Sequence, residues 1–245
     1  MNIYADYHTH TRYSHGKGTV MENVAAAVKI GLREIAISDH GPAHMFGIGI
    51  KNLSILDQIR QDIQEASRIY KNIKILTGIE ANVTSIKGDI DLPEEWRDKV
   101  DLLQVGLHLM VRPTKWGEGL VRYGIHYLRG LSPSLRTRSR IINTEAITNA
   151  VYRHKIDIIT HPGHRMDIDT RELARACYLR NTALELNASH DHITPEFIEI
   201  SAMEGAKFVI GSDAHTPSRV GDFKRVVELA KEAGLGPEQI LNAVN

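Results

Sequence analysis

The sequence predicts an α/β fold in which parallel strands alternate with helices, at a size that suits a single barrel. The first observation is a series of seven short apolar segments, most of them separated by segments with helical periodicity. Strands and helices that alternate in this way form parallel sheets with helical cover. The second observation is the length, because 245 residues are usual for one α/β barrel. The third is that no repeat, low-complexity tract or linker interrupts the chain, so we expect residues 1–245 to form one domain.

The predicted strands are rich in Ile, Val and Leu, and most are followed by a histidine, a carboxylate or a glycine. They cover residues 2–5, 34–38, 73–79, 101–107, 156–160, 183–187 and 207–211. Such short apolar runs, bounded by turn residues, are typical of strands that are buried on both faces.

The predicted helices have recognisable first residues. Thr19 and Glu22 have the spacing of a capping box, and Pro195 lies in the first turn of a later helix. Helices are expected near 20–31, 54–70, 143–153, 170–179 and from 195, with further ones from about 93, 218 and 237. Residues 111–141 are rich in arginine, and we expect them to be irregular.

Side chains of the types that bind metal ions follow six of the seven predicted strands. They are His8 and His10, His40, Glu80, His108, His161, and Asp213 with His215. The carboxyl ends of parallel strands lie on one face, which is where barrel enzymes carry their active sites. His15, in the first loop, is close enough along the chain to join this group. The pattern therefore predicts one cluster of seven histidines and two carboxylates.

The composition of the cluster points to metal-dependent hydrolysis of phosphate esters. One ion takes four to six ligands, so nine candidates indicate two or three divalent ions. Imidazole together with carboxylate suits Zn, Mn or Fe. Glu80 is the candidate for a bridging ligand, because a carboxylate can bind two cations and a neutral imidazole cannot. Clustered ions generate hydroxide near neutral pH and stabilise an in-line displacement at phosphorus.

Six short motifs, in order along the chain, resemble those of the PHP (polymerase and histidinol phosphatase) family. They are His8-Thr9-His10, Ser38-Asp39-His40-Gly41, Gly78-Ile79-Glu80-Ala81-Asn82, Gly106-Leu107-His108, Thr160-His161-Pro162-Gly163 and Gly211-Ser212-Asp213-Ala214-His215. The resemblance covers nearly the whole chain and is closest to the short, stand-alone bacterial phosphatases of the family. It implies a distorted (β/α)7 barrel, similar to a TIM barrel, that holds three metal ions.

The same resemblance implies how the ligands are divided among three ions. One site would use His8, His10, Glu80 and Asp213; a second would use Glu80, His108 and His161; a third would use His15, His40 and His215.

We therefore expect a metal-dependent phosphatase for a small phosphate monoester, with a bridging hydroxide as the nucleophile and Glu80 and Asp213 among the catalytic groups. Arg165 and Arg219 follow two of the motifs and are candidates for phosphate binding, because a guanidinium matches phosphate oxygens. Asp39 is a candidate partner behind a ligand histidine, with a helix-cap or turn role as the alternative. The proton for the leaving alcohol would come from Asp39, from a metal-bound water or from a histidine of the pocket. His190 and His192 follow the sixth strand and are expected to contact substrate.

Composition limits the partners and the location. Lys+Arg and Asp+Glu are equal at 30 each, which argues against a stable complex with nucleic acid or binding to an anionic membrane. The single cysteine excludes an internal disulfide and favours the cytoplasm. The oligomeric state stays open, a homo-oligomer included.

Three other functions stay open as alternatives. The first is a phosphatase specific for histidinol phosphate, and the second is a nuclease-type phosphodiesterase. The third is a metal-binding regulatory domain without catalytic activity, which the full set of ligands makes the weakest of the three.

Overall fold

A computed structural model describes residues 1–244, and a sheet of seven parallel strands forms its centre. The strands are β1 (Ala5–Thr9), β2 (Glu34–Ile37), β3 (Lys74–Asn82), β4 (Leu102–Gly106), β5 (Ile158–Ile159), β6 (Ala183–Asn187) and β7 (Phe208–Gly211). Neighbours in the sheet are neighbours along the chain, from β1 through β7. All seven carboxyl ends therefore lie at one edge of the sheet.

Helices cover the outside of the sheet. They are α1 (Val20–Lys29), α2 (Ile55–Ile69), α3 (Trp116–Leu128), α4 (Pro133–Arg153), α5 (Thr170–Arg180), α6 (Pro195–Met203) and α7 (Lys224–Glu232). The predicted capping box of α1 is confirmed, because Thr19 Oγ1 accepts from the Glu22 amide while Glu22 accepts from the Thr19 amide. With helices outside and a filled interior, both faces of the strands are buried, which explains their nearly continuous apolar sequences.

The expectation of irregular structure over 111–141 is wrong, because α3 and the first part of α4 lie there. Glycines within α3 and arginines along the start of α4 hide the helical periodicity, and packing of α3 against α4 stabilises both helices. The sequence did contain a start signal for α4: Ser132 accepts from the Leu135 amide, directly before Pro133.

Two predicted elements at the chain ends also differ from the structure. The predicted first strand, 2–5, mostly precedes the barrel strand, and Asn2–Ile3 pairs antiparallel with Ala243–Val244. The helix expected from Pro237 is a single 3-10 turn, Pro237–Gln239. Both segments lie at the amino ends of the barrel strands, where β1 and β7 approach each other.

The barrel closes between β1 and β7 without a regular ladder of backbone hydrogen bonds. Direct pairing is limited to the carboxyl end, where His10 N donates to Ala214 O at 2.8 Å and Ala214 N donates to His8 O at 3.2 Å. Further along the seam, the buried carboxylate of Asp6 accepts from the amides of Ser212 and Gly221. This partly side-chain-mediated closure confirms the prediction of a distorted (β/α)7 barrel.

Asn242 completes the seam at the amino end of the strands. Its Nδ2 donates to Ala5 O at 2.8 Å and to Ile210 O at 2.7 Å, while its Oδ1 accepts from Ile210 N at 3.0 Å. One buried amide thus provides the hydrogen bonds that a ladder between β1 and β7 would provide. Within residues 1–244, no helix has both the length and the apolar character that crossing a bilayer requires.

We expect Asn242→Ala to lower the free energy of unfolding by about 2–4 kcal/mol, because three backbone groups lose their partners in a buried position. Urea denaturation followed by circular dichroism measures the change. The neighbouring Leu241 is exposed, so Leu241→Ala serves as the control and should cost less than about 1 kcal/mol. Equal losses in the two variants would contradict this account of the seam.

Candidate metal centre

The site is built at the carboxyl ends of the strands, and each element brings its side chains there for a local reason. In β1, His8 points toward the interior, and His10 lies two positions further on, so both imidazoles face the same region. Glu80 lies within β3 and is completely buried. His40, His108, His161, Asp213 and His215 lie in the loops that follow β2, β4, β5 and β7.

The first group of ligand atoms surrounds one oxygen of Glu80. His8 Nε2 lies 3.4 Å from Glu80 Oε2 and 3.6 Å from Asp213 Oδ1. His10 Nε2 lies 3.7 Å from the same Glu80 oxygen and 3.2 Å from the same Asp213 oxygen. His8, His10 and Asp213 thus bring ligand atoms close enough together to hold one ion, and an oxygen of Glu80 lies beside the two histidines.

The second group surrounds the other oxygen of Glu80. Its Oε1 lies 3.1 Å from His108 Nε2 and 2.8 Å from His161 Nε2, and the two imidazole nitrogens are 3.2 Å apart. Thr160 Oγ1 donates to this oxygen at 2.8 Å and fixes the orientation of the carboxylate. Glu80 therefore presents one oxygen to each of two sets of histidines.

The third group lies near the mouth of the barrel and differs in detail from the predicted set. His10, His40 and His215 bring ligand nitrogens close enough together to hold one ion. The ring of His15 lies beside them, with its centroid 5.0 Å from that of His40 and 4.2 Å from that of His215. His40 Nδ1 is also 2.6 Å from Glu80 Oε2, so this group adjoins the first one.

Several of these ligand atoms are buried and have no hydrogen-bond partner. They include His8 Nε2, both ring nitrogens of His10, His40 Nδ1, Glu80 Oε2 and His215 Nε2. The short contact between His40 Nδ1 and Glu80 Oε2 lacks the geometry of a hydrogen bond. Buried polar atoms are normally paired, because leaving one unpaired costs about 1–3 kcal/mol. A cluster of unpaired nitrogens and oxygens, all converging on one region, fits the binding of cations. The side chains present therefore suit divalent metal ions.

For His10 and Glu80, the environment favours the protonation states that bind metal. Burial lowers the pKa of His10 to about 3, so its imidazole is neutral. Burial alone would raise the pKa of Glu80, but His40, His108 and His8 hold it well below its ordinary range. Neutral imidazoles and ionised carboxylates are the forms that coordinate metals.

Glu185 is the main functional residue that sequence reasoning missed. His8 Nδ1 donates to its Oε1 at 2.7 Å, and the backbone amide of His161 donates to its Oε2 at 2.7 Å. Asn187 Nδ2 also donates to Oε2, at 3.0 Å, and to Asp213 Oδ2 at 3.2 Å. The available signal was an acidic residue in the middle of the mainly apolar strand β6.

Two ligand candidates have strained backbones. His161 has φ of 27° and Asp213 has φ of 52°, in the left-handed region that non-glycine residues seldom adopt. Such strain persists only where surrounding contacts hold it. For His161, the hydrogen bond from its amide to Glu185 is one such contact.

Asp39 lies behind the cluster, where it organises the first loop. Its carboxylate accepts from Thr11 N at 2.8 Å, from Thr11 Oγ1 at 2.6 Å, and from Ser14 Oγ. These bonds hold the turn that presents His15. Both oxygens are engaged and buried, so the geometry favours a positioning role over proton donation to a leaving group.

The two arginine candidates lie in different surroundings. Arg165 lines the cleft above the cluster, whereas Arg219 pairs with Asp222 at 2.7 Å and is absent from the lining of the cleft formed by residues 1–244. The cleft has a volume of about 250 Å³, enough for a small molecule. His44, His164 and His190 also line it, whereas His192 does not. His190 Nε2 lies 3.2 Å from Asp213 Oδ2.

Comparison with known proteins agrees with this geometry. Residues 6–233 match the family model described as the PHP domain. The chain is 31% identical to a protein of Proteus mirabilis named a "probable phosphatase", over 97% of this chain and 89% of that protein. It is 30% identical to a "probable phosphatase" of Aeromonas hydrophila, over 98% of this chain and 90% of that one.

A solved structure shares the fold. The crystal structure of histidinol phosphate phosphatase from Lactococcus lactis, complexed with zinc, L-histidinol and phosphate, matches with a TM-score of 0.65. The match covers 95% of this chain and 94% of that one at 17% identity, so it bears on the fold alone.

The chain belongs to the PHP domain family. The prediction of a hydrolase that acts on phosphoric ester bonds is confirmed by the family and by the phosphatase relatives.

We expect Glu185→Gln to weaken the retention of divalent metal by about 10- to 100-fold, the usual effect of losing a partner behind a ligand histidine. The carboxylate of Glu185 accepts hydrogen bonds on both oxygens. In glutamine an NH2 group replaces one of these oxygens, and this donor would face another donor, either His8 or the groups of His161 and Asn187. Metal per chain after purification without chelator, and competition with a chelating dye, measure the effect. Glu199→Gln is a matched exposed control, and equal retention in both variants would contradict the role of Glu185.

Proposed function

We propose that this chain is a phosphatase for small phosphate monoesters with a centre of three divalent ions. His8, His10, Glu80 and Asp213 would hold the first ion, and Glu80, His108 and His161 the second. His40 and His215, with His15 from the first loop, would hold the third. Zn, Mn or Fe suits this set of nitrogen and oxygen ligands.

The observation that carries the proposal is the position of Glu80. Its two oxygens face different groups of histidines, with Oε1 near His108 and His161 and Oε2 near His8 and His10. A buried carboxylate in this position supports two adjacent ions with a shared ligand. Adjacent ions are the arrangement that phosphoryl-transfer enzymes use.

The side chains divide the work around the phosphate. Divalent ions, when bound, lower the pKa of water and stabilise the charge that develops on the phosphoryl group. Arg165 reaches the same cleft and can bind a phosphate oxygen through its guanidinium. Glu185 and Thr160 hold His8 and Glu80 in place, and the barrel walls keep the bound phosphate in a fixed orientation.

The cleft and the charge of the chain favour a monoester over a nucleic acid. A volume of about 250 Å³ suits one small leaving group, and the equal numbers of acidic and basic residues give no overall attraction to a polyanion. The arginine-rich residues 111–141, all of which are described, do not line the cleft. These observations support a small phosphorylated substrate.

We also propose that residues 1–245 form one domain and that the protein is cytoplasmic.

We expect Glu80→Gln to lower kcat/KM for p-nitrophenyl phosphate by at least about 10³-fold, because an amide cannot serve as an anionic ligand to two ions. The metal content, measured by plasma mass spectrometry, should fall in parallel. Glu145→Gln, on the exposed face of α4, is the matched control and should keep both properties. Full metal content with unchanged activity in Glu80→Gln would contradict the shared-ligand assignment.

A substrate comparison separates this proposal from its alternatives. We expect the metal-loaded enzyme to hydrolyse p-nitrophenyl phosphate much faster than bis-p-nitrophenyl phosphate, and to leave single-stranded DNA intact. Preference for the diester or for DNA would favour a phosphodiesterase. Failure on all three substrates, with metal fully bound, would favour a domain without catalytic activity.

We expect Arg165→Ala to raise KM for p-nitrophenyl phosphate by about 10-fold, with a smaller change in kcat, because a charge-assisted hydrogen bond to phosphate is lost. Arg219→Ala is the matched control: its guanidinium pairs with Asp222, so KM should stay within about twofold. Steady-state kinetics at saturating metal measure both. A larger KM effect in Arg219→Ala would reverse the assignment.

A further inference from the structure

The cleft above the metal centre has an apolar wall built from two connected segments. Ile48 belongs to the loop after β2, while Leu107, Leu109 and Met110 follow β4, and all four residues line the cleft. The two segments are hydrogen-bonded to each other, since Met45 N donates to Met110 O at 3.0 Å.

A second link makes this wall a continuous surface. Arg112 N donates to Ala43 O at 2.9 Å, and His44 pairs with Val111 in an antiparallel bridge. The loop after β2 and the segment after β4 therefore stay together. A leaving group placed beside the phosphate meets a preformed apolar surface.

The polar part of the lining carries no free negative charge. It consists of eight histidines, Arg165 and one carboxylate, Asp213, in the cleft formed by residues 1–244. Asp213 already contacts His10 and His190. The other carboxylates close to the centre, Glu80 and Glu185, are buried behind the histidines and occupied by them.

Charge in the centre reinforces this arrangement. Three divalent ions with the two carboxylates Glu80 and Asp213 leave a formal charge of about +4 before a substrate binds. This charge attracts a phosphate dianion and repels any ammonium group that lies a few ångströms away on the same substrate. A carboxylate in the lining would balance such a group, and within residues 1–244 the one that lines the cleft, Asp213, already contacts His10 and His190.

We propose that the alcohol released by this enzyme carries an apolar group and no cationic centre, so that amino alcohol phosphates are poor substrates. This inference rests on the proposed phosphomonoesterase function. It also separates the chain from the histidinol phosphate alternative, because histidinol carries an amine. The phosphate binds at the ions and Arg165, while the rest of the molecule packs against Ile48, Leu109 and Met110.

A matched pair of substrates tests the proposal in the metal-loaded enzyme. 3-Phenylpropyl phosphate and 2-amino-3-phenylpropyl phosphate differ by one ammonium group, and we expect kcat/KM to be at least about 10-fold higher for the first. Calorimetric titration with the corresponding phosphonates, which are not hydrolysed, should give a similar ratio of Kd values. Equal values, or a preference for the amine, would overturn the inference.

The two proposals fail in different ways. Hydrolysis of p-nitrophenyl phosphate without discrimination within the pair removes the inference and leaves the phosphatase in place. No hydrolysis of any monoester by fully metal-loaded enzyme contradicts the phosphatase itself.

A charge placed in the apolar wall provides a second test. Met110 lines the cleft but is 46% exposed, so its replacement is tolerated by the fold. Met110→Glu should shift the substrate ratio by about 10-fold toward the amine, whereas the uncharged Met110→Gln should keep the preference for the neutral ester. Thermal melting verifies that both variants fold. If the ratio is the same in the two folded variants, the wall does not adjoin the leaving group and the inference is wrong.

Discussion

The structure depends on one buried carboxylate that two sets of imidazoles share. Glu80 has no exposed surface; burial alone would raise its pKa, and His40, His108 and His8 hold that pKa well below its ordinary range. Burial of a carboxylate without partners is costly, so the position of Glu80 requires such groups around it. The parallel strands meet this condition because their carboxyl ends bring residues distant in sequence to one edge.

The positions of the candidate metal ligands follow from sequence, whereas the contacts behind them do not. His8, His10, Glu80 and Asp213 were recognisable because strand ends mark them and because ligand residue types are few. Glu185 was not recognisable, since a single acidic residue within a strand gives no indication of its partner. The role of Asp39 also stayed open in the sequence, because its place in a motif fits positioning, a turn or proton transfer, and its hydrogen bonds with Thr11 and Ser14 are contacts that only the folded loop creates.

The same contrast holds for the fold. Strand order and barrel class follow from the alternation of apolar and helical segments, which is a local property of the sequence. The closure between β1 and β7 depends on Asp6 and Asn242. Asp6 accepts a hydrogen bond from Ser212, and Asn242 donates one to Ala5; in both pairs the two residues are more than 200 positions apart along the chain. The helix α3 and the first part of α4 could not be predicted because tertiary packing, and not periodicity, stabilises them.

The seam of the barrel and the metal centre are physically linked. His8 and His10 extend from β1, and Asp213 follows β7, so the first group of ligands spans the one gap in the sheet that lacks a regular ladder. An ion held by these three side chains would join the two strands at their carboxyl ends, while Asn242 joins them at the other end. A ligand that binds only the closed barrel stabilises it by mass action. Bound metal would therefore stabilise the closed barrel at the one seam that lacks a regular ladder of hydrogen bonds.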